Sequence, residues 1–204
     1  KIKKKLISYH KFNEKKQIAN IIEYFKEGKI LSLVSDAGTP LLSDPGRILV
    51  NECVKKKIQI VPIPGVSSIT AAMSISGFSD KFLFYGFLPK KKVELEKKIV
   101  PLSKLDFSLI FFAPSNKVNF YLDFFKKNFH DREIMIAKEI SKIFEKFFRG
   151  ELSEIKFFEK DLKGELTIVI SKKLAVDKID LGEIRKKIKK YLPNNSVKDT
   201  VKII

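Results

Sequence analysis

At 204 residues and 44% hydrophobic content, the chain is long enough to bury one large core or two small ones, which excludes a disordered polar protein. Forty-one basic residues stand against 24 acidic ones, and the net charge of +17 favours a polyanionic partner, nucleic acid first among them, although Lys scattered over solvated helix faces gives the same excess. Its apolar runs are far shorter than the roughly 20 residues of a membrane helix, the Lys-rich start lacks the apolar stretch of a signal peptide, and Cys53 is alone, so the chain reads as a cytoplasmic protein with one buried thiol.

Residues 18–25 place Ile18, Ile21, Ile22 and Phe25 on one helix face, and Gly28 ends that helix before a strand over 30–34. The loop "SDAGTPLLSDPG" follows, with Asp44 and Pro45 read as N-cap and first turn of a helix that carries Ile48, Leu49, Cys53 and Val54. A strand over 58–63, a turn "PGVSS", a small-residue helix over 69–76 stopped by Gly77, and a strand over 82–85 complete a first α/β lobe with a mostly parallel sheet. The linker "GFLPKKK" separates it from a second lobe with a mixed sheet. There the pattern predicts helices over 93–100, 117–127 and 152–158, strands over 107–112, 133–137, 144–149 and 166–171, and a Lys-rich helix over 181–192. The expected domains are residues 1–87, 88–175 and a helical tail over 176–204.

Ligands of open α/β sheets sit beyond the carboxyl ends of strands, and both the 35–46 loop and the 64–68 turn occupy that position. Gly38 permits close backbone approach, Asp36 and Asp44 accept hydrogen bonds from ribose or amine groups, and Ser67 and Ser68 offer hydroxyls at a helix start. Two carboxylates suit a ligand bearing an amine or a sulfonium better than a triphosphate, and neither phosphate-loop nor dinucleotide fingerprint is present. The same Asp and Ser residues also serve as plain helix caps, which leaves both readings open. No Cys/His cluster has metal-ligand spacing, so no metal is expected; Glu139 and Glu145 read as partners of nearby Lys, and His10 as a capping, surface or RNA-facing residue.

"LVSDAGTPLLSDPG", "VPIPGVSSITAAMSISG" and "FLFYGFLPKK" together resemble the ribosomal RNA small subunit methyltransferase I family, the 16S rRNA cytidine 2′-O-methyltransferases of the tetrapyrrole methylase superfamily. The resemblance continues in register through "LISYHKFNE" upstream and "AKEISKIFEKFFRGELSEI" and "KGELTIVI" downstream. It implies a two-lobed tetrapyrrole-methylase-like fold, S-adenosylmethionine held between the lobes, a homodimer, and methyl transfer to a ribose 2′-hydroxyl of the small subunit's RNA. Carried over by position, Asp36, Gly38, Thr39, Pro40, Asp44, Ser67 and Ser68 are the cofactor candidates, with Ala113, Ala137 and Leu166 at strand ends of the second lobe. Lys90, Lys91, Lys92 and Lys117 are the candidate RNA phosphate contacts, and the resemblance names no catalytic base.

Two features depart from the family pattern. The strand and Pro-Ile-Gly-Asn loop with which members begin do not precede Lys1, so the resemblance implies a chain shortened at its start; "SVKDTVKII" resembles the opening of a helical tail. Where relatives carry a Tyr-Glu-Ser/Thr-x-His-Arg run, this chain has Phe112-Ala113-Pro114-Ser115-Asn116-Lys117. Two alternatives stand beside this reading: a related methylase acting on a corrinoid or a protein histidine, and a non-catalytic basic RNA-binding scaffold.

Overall fold

Ile21 and Ile22, one helical step apart from Ile18 and Phe25, are buried by α1 (Glu14–Lys26), which packs on α2 (Arg47–Lys55) and its buried Cys53. The structure, a computed structural model, describes residues 3–160, 162–173 and 181–203 and divides into a unit of residues 1–172 and a unit of 173–204. The expected boundary at residues 175 and 176 lies outside the described residues.

α3 (Ser68–Ser76) leads to β1 (Phe82–Phe87), α4 (Lys92–Ser103), β2 (Ser108–Pro114), α5 (Val118–Asn128), β3 (Glu133–Lys138), β4 (Lys146–Glu151) and β5 (Glu165–Ile170). The strands form one mixed sheet in the order β1-β2-β5-β3-β4, parallel between β1 and β2 and antiparallel elsewhere. Period-two alternation divides their side chains between two layers. Leu109, Phe111, Ile134, Ile136, Ile168 and Ile170 meet α4 and α5, where Phe111 stacks on Phe125 with centroids 5.4 Å apart. Ile110, Met135, Ala137 and Val169 meet Ile69 and Ala72 of α3 on the opposite face. Each such fully buried large side chain contributes about 1.5–3 kcal/mol.

This topology places the carboxyl ends of β1, β2 and β3 and the amino ends of β4 and β5 at one end of the sheet. At the other end the buried Arg132 donates to the carbonyls of Ser103 (2.9 Å), Leu105 (2.6 Å), Phe107 (3.2 Å) and Ser171 (3.1 Å), fastening the end of α4 to the ends of two strands. Desolvation pulls its pKa below the ordinary arginine value, against the nearby Asp131 and Asp106.

Three expected elements differ. The apolar runs at 30–34 and 58–63 join no strand ladder, and Ile30, Val34 and Ile63 are exposed. An apolar run becomes a strand only where a neighbour takes its backbone N–H and C=O groups, and neither run has one. Residues 152–158 form only a turn, with Glu154 N and Ile155 N donating to Glu151 O, and the chain then leaves to Asn119, which donates to the carbonyl of Phe158 at 2.8 Å and accepts its N–H at 2.9 Å. The N-cap of α2 is Gly46, two residues beyond Asp44.

In the second unit, α6 (Leu181–Tyr191) and α7 (Val197–Ile203) flank a short 3-10 turn, and Ser196 caps α7, its hydroxyl accepting from Asp199 N at 3.1 Å.

Candidate functional site

Hydrogen bonds within the loop of residues 35–46 fix its shape. Ser35 Oγ donates to the carbonyls of Ala37 and Gly38 at 3.2 and 3.1 Å, which closes the head of the loop. Thr39 Oγ1 donates to Val66 O at 3.3 Å and thereby joins it to the second loop. Leu41 and Ser43 hold φ of 72° and 69°, a left-handed backbone that costs about 1–3 kcal/mol per non-glycine residue and that folds retain where a loop's shape is used. Ser43 lies against the bulge of β1: a Cβ added at Gly86 would stand 2.9 Å from its Oγ.

The segment of residues 9–12 faces this loop across a cleft of about 530 Å³, within the range of small-ligand sites. Leu33, Val34, Pro40 and Pro45 supply apolar wall, and Ser35, Asp36 and Asp44 supply acceptors. Tyr9, His10, Lys11 and Phe12 form the facing side. Asn13 holds that side in place, accepting from His10 N at 2.8 Å and donating to Ser8 O at 3.0 Å. Glu14 joins the two walls, because its Oε2 accepts from both Tyr9 OH and Gly46 N at 3.4 Å. Burial first, and the Glu14 carboxylate second, push the Tyr9 phenol above its ordinary pKa.

Of the first-lobe candidates, Asp36, Pro40 and Asp44 line this cleft, while Gly38 and Thr39 sit at the loop head. Ser67 and Ser68 start α3, but Ser67 makes no side-chain cap bond, and Asp44 is not the N-cap of α2. Ser67 thus occupies the N-cap position of α3 with its hydroxyl unused for capping, and Asp44 stands outside the cap of α2. Gly38 holds φ of 69° with open space where a Cβ would stand, so a substitution there acts through backbone strain rather than by filling the cleft.

The second-lobe candidates divide across the sheet. Ala113 and Leu166 pair with each other and face the α4–α5 layer, whereas Ala137 faces α3, and all three are buried. Lys90, Lys91 and Lys92 are exposed beyond β1, with Lys91 3.8 Å from Glu94, and Lys117 is exposed beyond β2. Glu139 pairs with Lys142 at 3.0 Å, and Glu145 accepts from Ser141 N at 2.6 Å, so both act inside one loop. Among the described residues no group of three or more His, Cys, Asp or Glu is placed to hold a metal ion, and no helix is long and apolar enough to cross a membrane. Sequence reasoning missed Tyr9, Lys11, Phe12 and Glu14; the family-like run "LISYHKFNE" was the signal that held them.

Residues 3–156 match the family model described as Tetrapyrrole (Corrin/Porphyrin) Methylases. The chain is 42% identical over 176 residues to the ribosomal RNA small subunit methyltransferase I of Thermotoga maritima, covering 85% of this chain and 79% of that one. Among solved structures, the methyltransferase CobJ superposes with a TM-score of 0.59 at 18% identity, covering 76% of this chain and 70% of that one. Uroporphyrin-III C-methyl transferase from Thermus thermophilus, complexed with S-adenyl homocysteine, superposes with a TM-score of 0.54 at 10% identity, covering 78% and 73%. At these identities the two structures establish a shared fold.

Proposed function

The chain belongs to the ribosomal RNA small subunit methyltransferase I family of the tetrapyrrole (corrin/porphyrin) methylases, and on that footing we propose that it methylates a cytidine ribose 2′-hydroxyl in 16S rRNA. The methyl donor is S-adenosylmethionine. The observation that carries the reading is the cleft between residues 9–12 and the 35–46 loop, where two carboxylates stand beside apolar wall.

The donor supplies, when bound, a methyl group already activated by a positively charged sulfur. The donor set suits it: Asp36 and Asp44 oppose the charge of a sulfonium and an amine, and Val34, Pro40 and Pro45 offer apolar surface to a base. With activation supplied by the donor, the chain's task is orientation, worth many orders of magnitude when the reacting atoms are held in line. The Ser35, Thr39 and Glu14 hydrogen bonds serve that task by fixing the loop before any ligand arrives. Lys90, Lys91, Lys92 and Lys117 follow β1 and β2 at the strand end where the two loops gather, and we assign them to RNA phosphates. A homodimer in the cytoplasm, acting on the small ribosomal subunit, completes the proposal.

Calorimetry tests the donor site. S-adenosylmethionine binds the protein, and Asp36→Asn weakens it by about tenfold or more, the loss of one charge-assisted contact. Undiminished affinity in this variant, whose altered side chain is exposed and leaves the core intact, removes the loop from the site.

A further inference from the structure

The hairpin between β3 and β4 presents two adjacent bulky apolar residues to solvent, Ile143 at 91% exposure and Phe144 at 73%. Single exposed hydrophobics are ordinary on protein surfaces. This pair differs because the loop beneath it is fixed from several sides. Glu139 N donates to Glu165 O at 3.0 Å, Glu165 N to Glu139 Oε1 at 2.8 Å, and Ser141 N to Glu145 Oε2 at 2.6 Å. Lys142 Nζ bridges Glu139 and Glu165 at 3.0 and 2.9 Å. Glu139 and Ser141 both sit at positive φ, 51° and 63°, a conformation non-glycine residues keep only where surroundings enforce it. Both carboxylates of the loop, Glu139 and Glu145, are thus engaged, and what the tip displays outward is Ile143 and the Phe144 ring.

Those cations are arranged about aromatic faces. Lys138 Nζ lies 5.8 Å from the Phe144 ring centroid and donates to Phe144 O at 3.2 Å. Along β4, Lys146 stands 5.2 Å from the Phe148 ring and the Arg149 guanidinium 5.6 Å from Phe147. β4 is an edge strand, and the hairpin tip lies at the carboxyl end of β3, the sheet end that also carries Lys90–Lys92 and Lys117.

We infer that the β3–β4 hairpin tip is an RNA-contacting finger, in which Phe144 stacks on an unpaired base and Lys138 and Lys146 contact the flanking phosphates. The inference rests on the proposed RNA substrate and adds to it a second contact beyond the donor cleft. Charge complementarity selects the occupant: an exposed ring with the Lys138 ammonium against it and Lys146 at the start of the next strand, in a chain of net charge +17, matches a stacked base between phosphates and opposes a second equally basic copy of the chain.

The test is fluorescence anisotropy with a labelled 12-nucleotide single-stranded RNA and a duplex of the same length, across a salt series. Phe144→Ala weakens single-strand binding by roughly tenfold with little change in salt slope, and Phe144→Trp restores it. Duplex binding changes little, because paired bases offer no free face. Lys138→Ala with Lys146→Ala lowers the salt slope by about two contacts. Unchanged single-strand affinity in Phe144→Ala overturns the inference, as does an effect confined to sedimentation, which marks the tip as a contact between copies. Should the protein methylate something other than RNA while Phe144→Ala still weakens single-strand binding, the finger stands and the assigned reaction fails. Equal methylation kinetics on small subunits with and without Phe144 mean the opposite: the reaction stands and the finger fails.

Discussion

Arg132 is the residue whose chemistry the chain order hides most completely. In sequence it lies in His130-Asp131-Arg132-Glu133, which reads as a charged surface turn, yet its guanidinium is buried, its two terminal nitrogens donating to four backbone carbonyls while Nε is left without a partner. Its partners come from α4, the loop before β2, and the residue after β5, so only the assembled sheet brings them together. Replacing it with Met removes the donors while keeping the apolar stem, which leaves carbonyls unpaired in a buried site. We expect Arg132→Met to destabilise the protein by about 2–5 kcal/mol in urea unfolding, in keeping with several buried acceptors left unpaired at about 1–3 kcal/mol each and partly relieved by relaxation. A loss below about 1 kcal/mol would contradict the fastening role. Asp36 and Asp44 pose the opposite case, since their place after an apolar run and before a helix singled them out in the sequence and both line the cleft. Tyr9 and Glu14 were not singled out, because the wall they form depends on a contact with a loop some thirty residues away.

At the scale of elements, the β3–β4 hairpin loop is held by a carboxylate whose ionisation can be read as stability. The amide of Glu165, and then Lys142, hold the Glu139 carboxyl below its ordinary value of 4.5. A group with a lowered folded-state pKa stabilises the fold above its unfolded value and loses that contribution as the pH falls through the folded one. The anchoring is therefore complete at neutral pH and fades in the acid range below 4.5. In urea titrations from pH 7 to pH 3, Glu139→Gln starts from a lower midpoint and declines less than the parent; parallel acid limbs would count against the anchor. Helices α1 and α5 were visible in the sequence through a 3.6-residue apolar period, α3 through its Ser start and Gly77 stop, and strands β2, β3 and β5 as short continuous apolar runs, the mark of strands covered on both faces. The runs at 30–34 and 58–63 carry the same apolar signal without a ladder. Strand formation is a property of a pair, and composition names only one member. Residues 152–158 are likewise not helical, and the backbone of Phe158 is bonded by Asn119, a residue 39 positions away.

For the whole molecule, the features assigned to function gather at one end of a single sheet. The 35–46 loop abuts the β1 bulge at Gly86, α3 begins beside the second loop, and the lysines after β1 and β2 and the hairpin after β3 project from the same strand ends. In the proposed arrangement a small donor occupies the cleft while a basic rim engages a much larger polyanion. That division of labour makes the identity of the methylated group the point on which the account depends. The direct measurement is to supply the protein with methyl-labelled S-adenosylmethionine and small ribosomal subunits lacking the modification, digest the RNA to nucleosides, and identify the labelled product by mass spectrometry. The account predicts a single labelled nucleoside, 2′-O-methylcytidine; label on a base, on ribosomal protein, or nowhere in the RNA would contradict it.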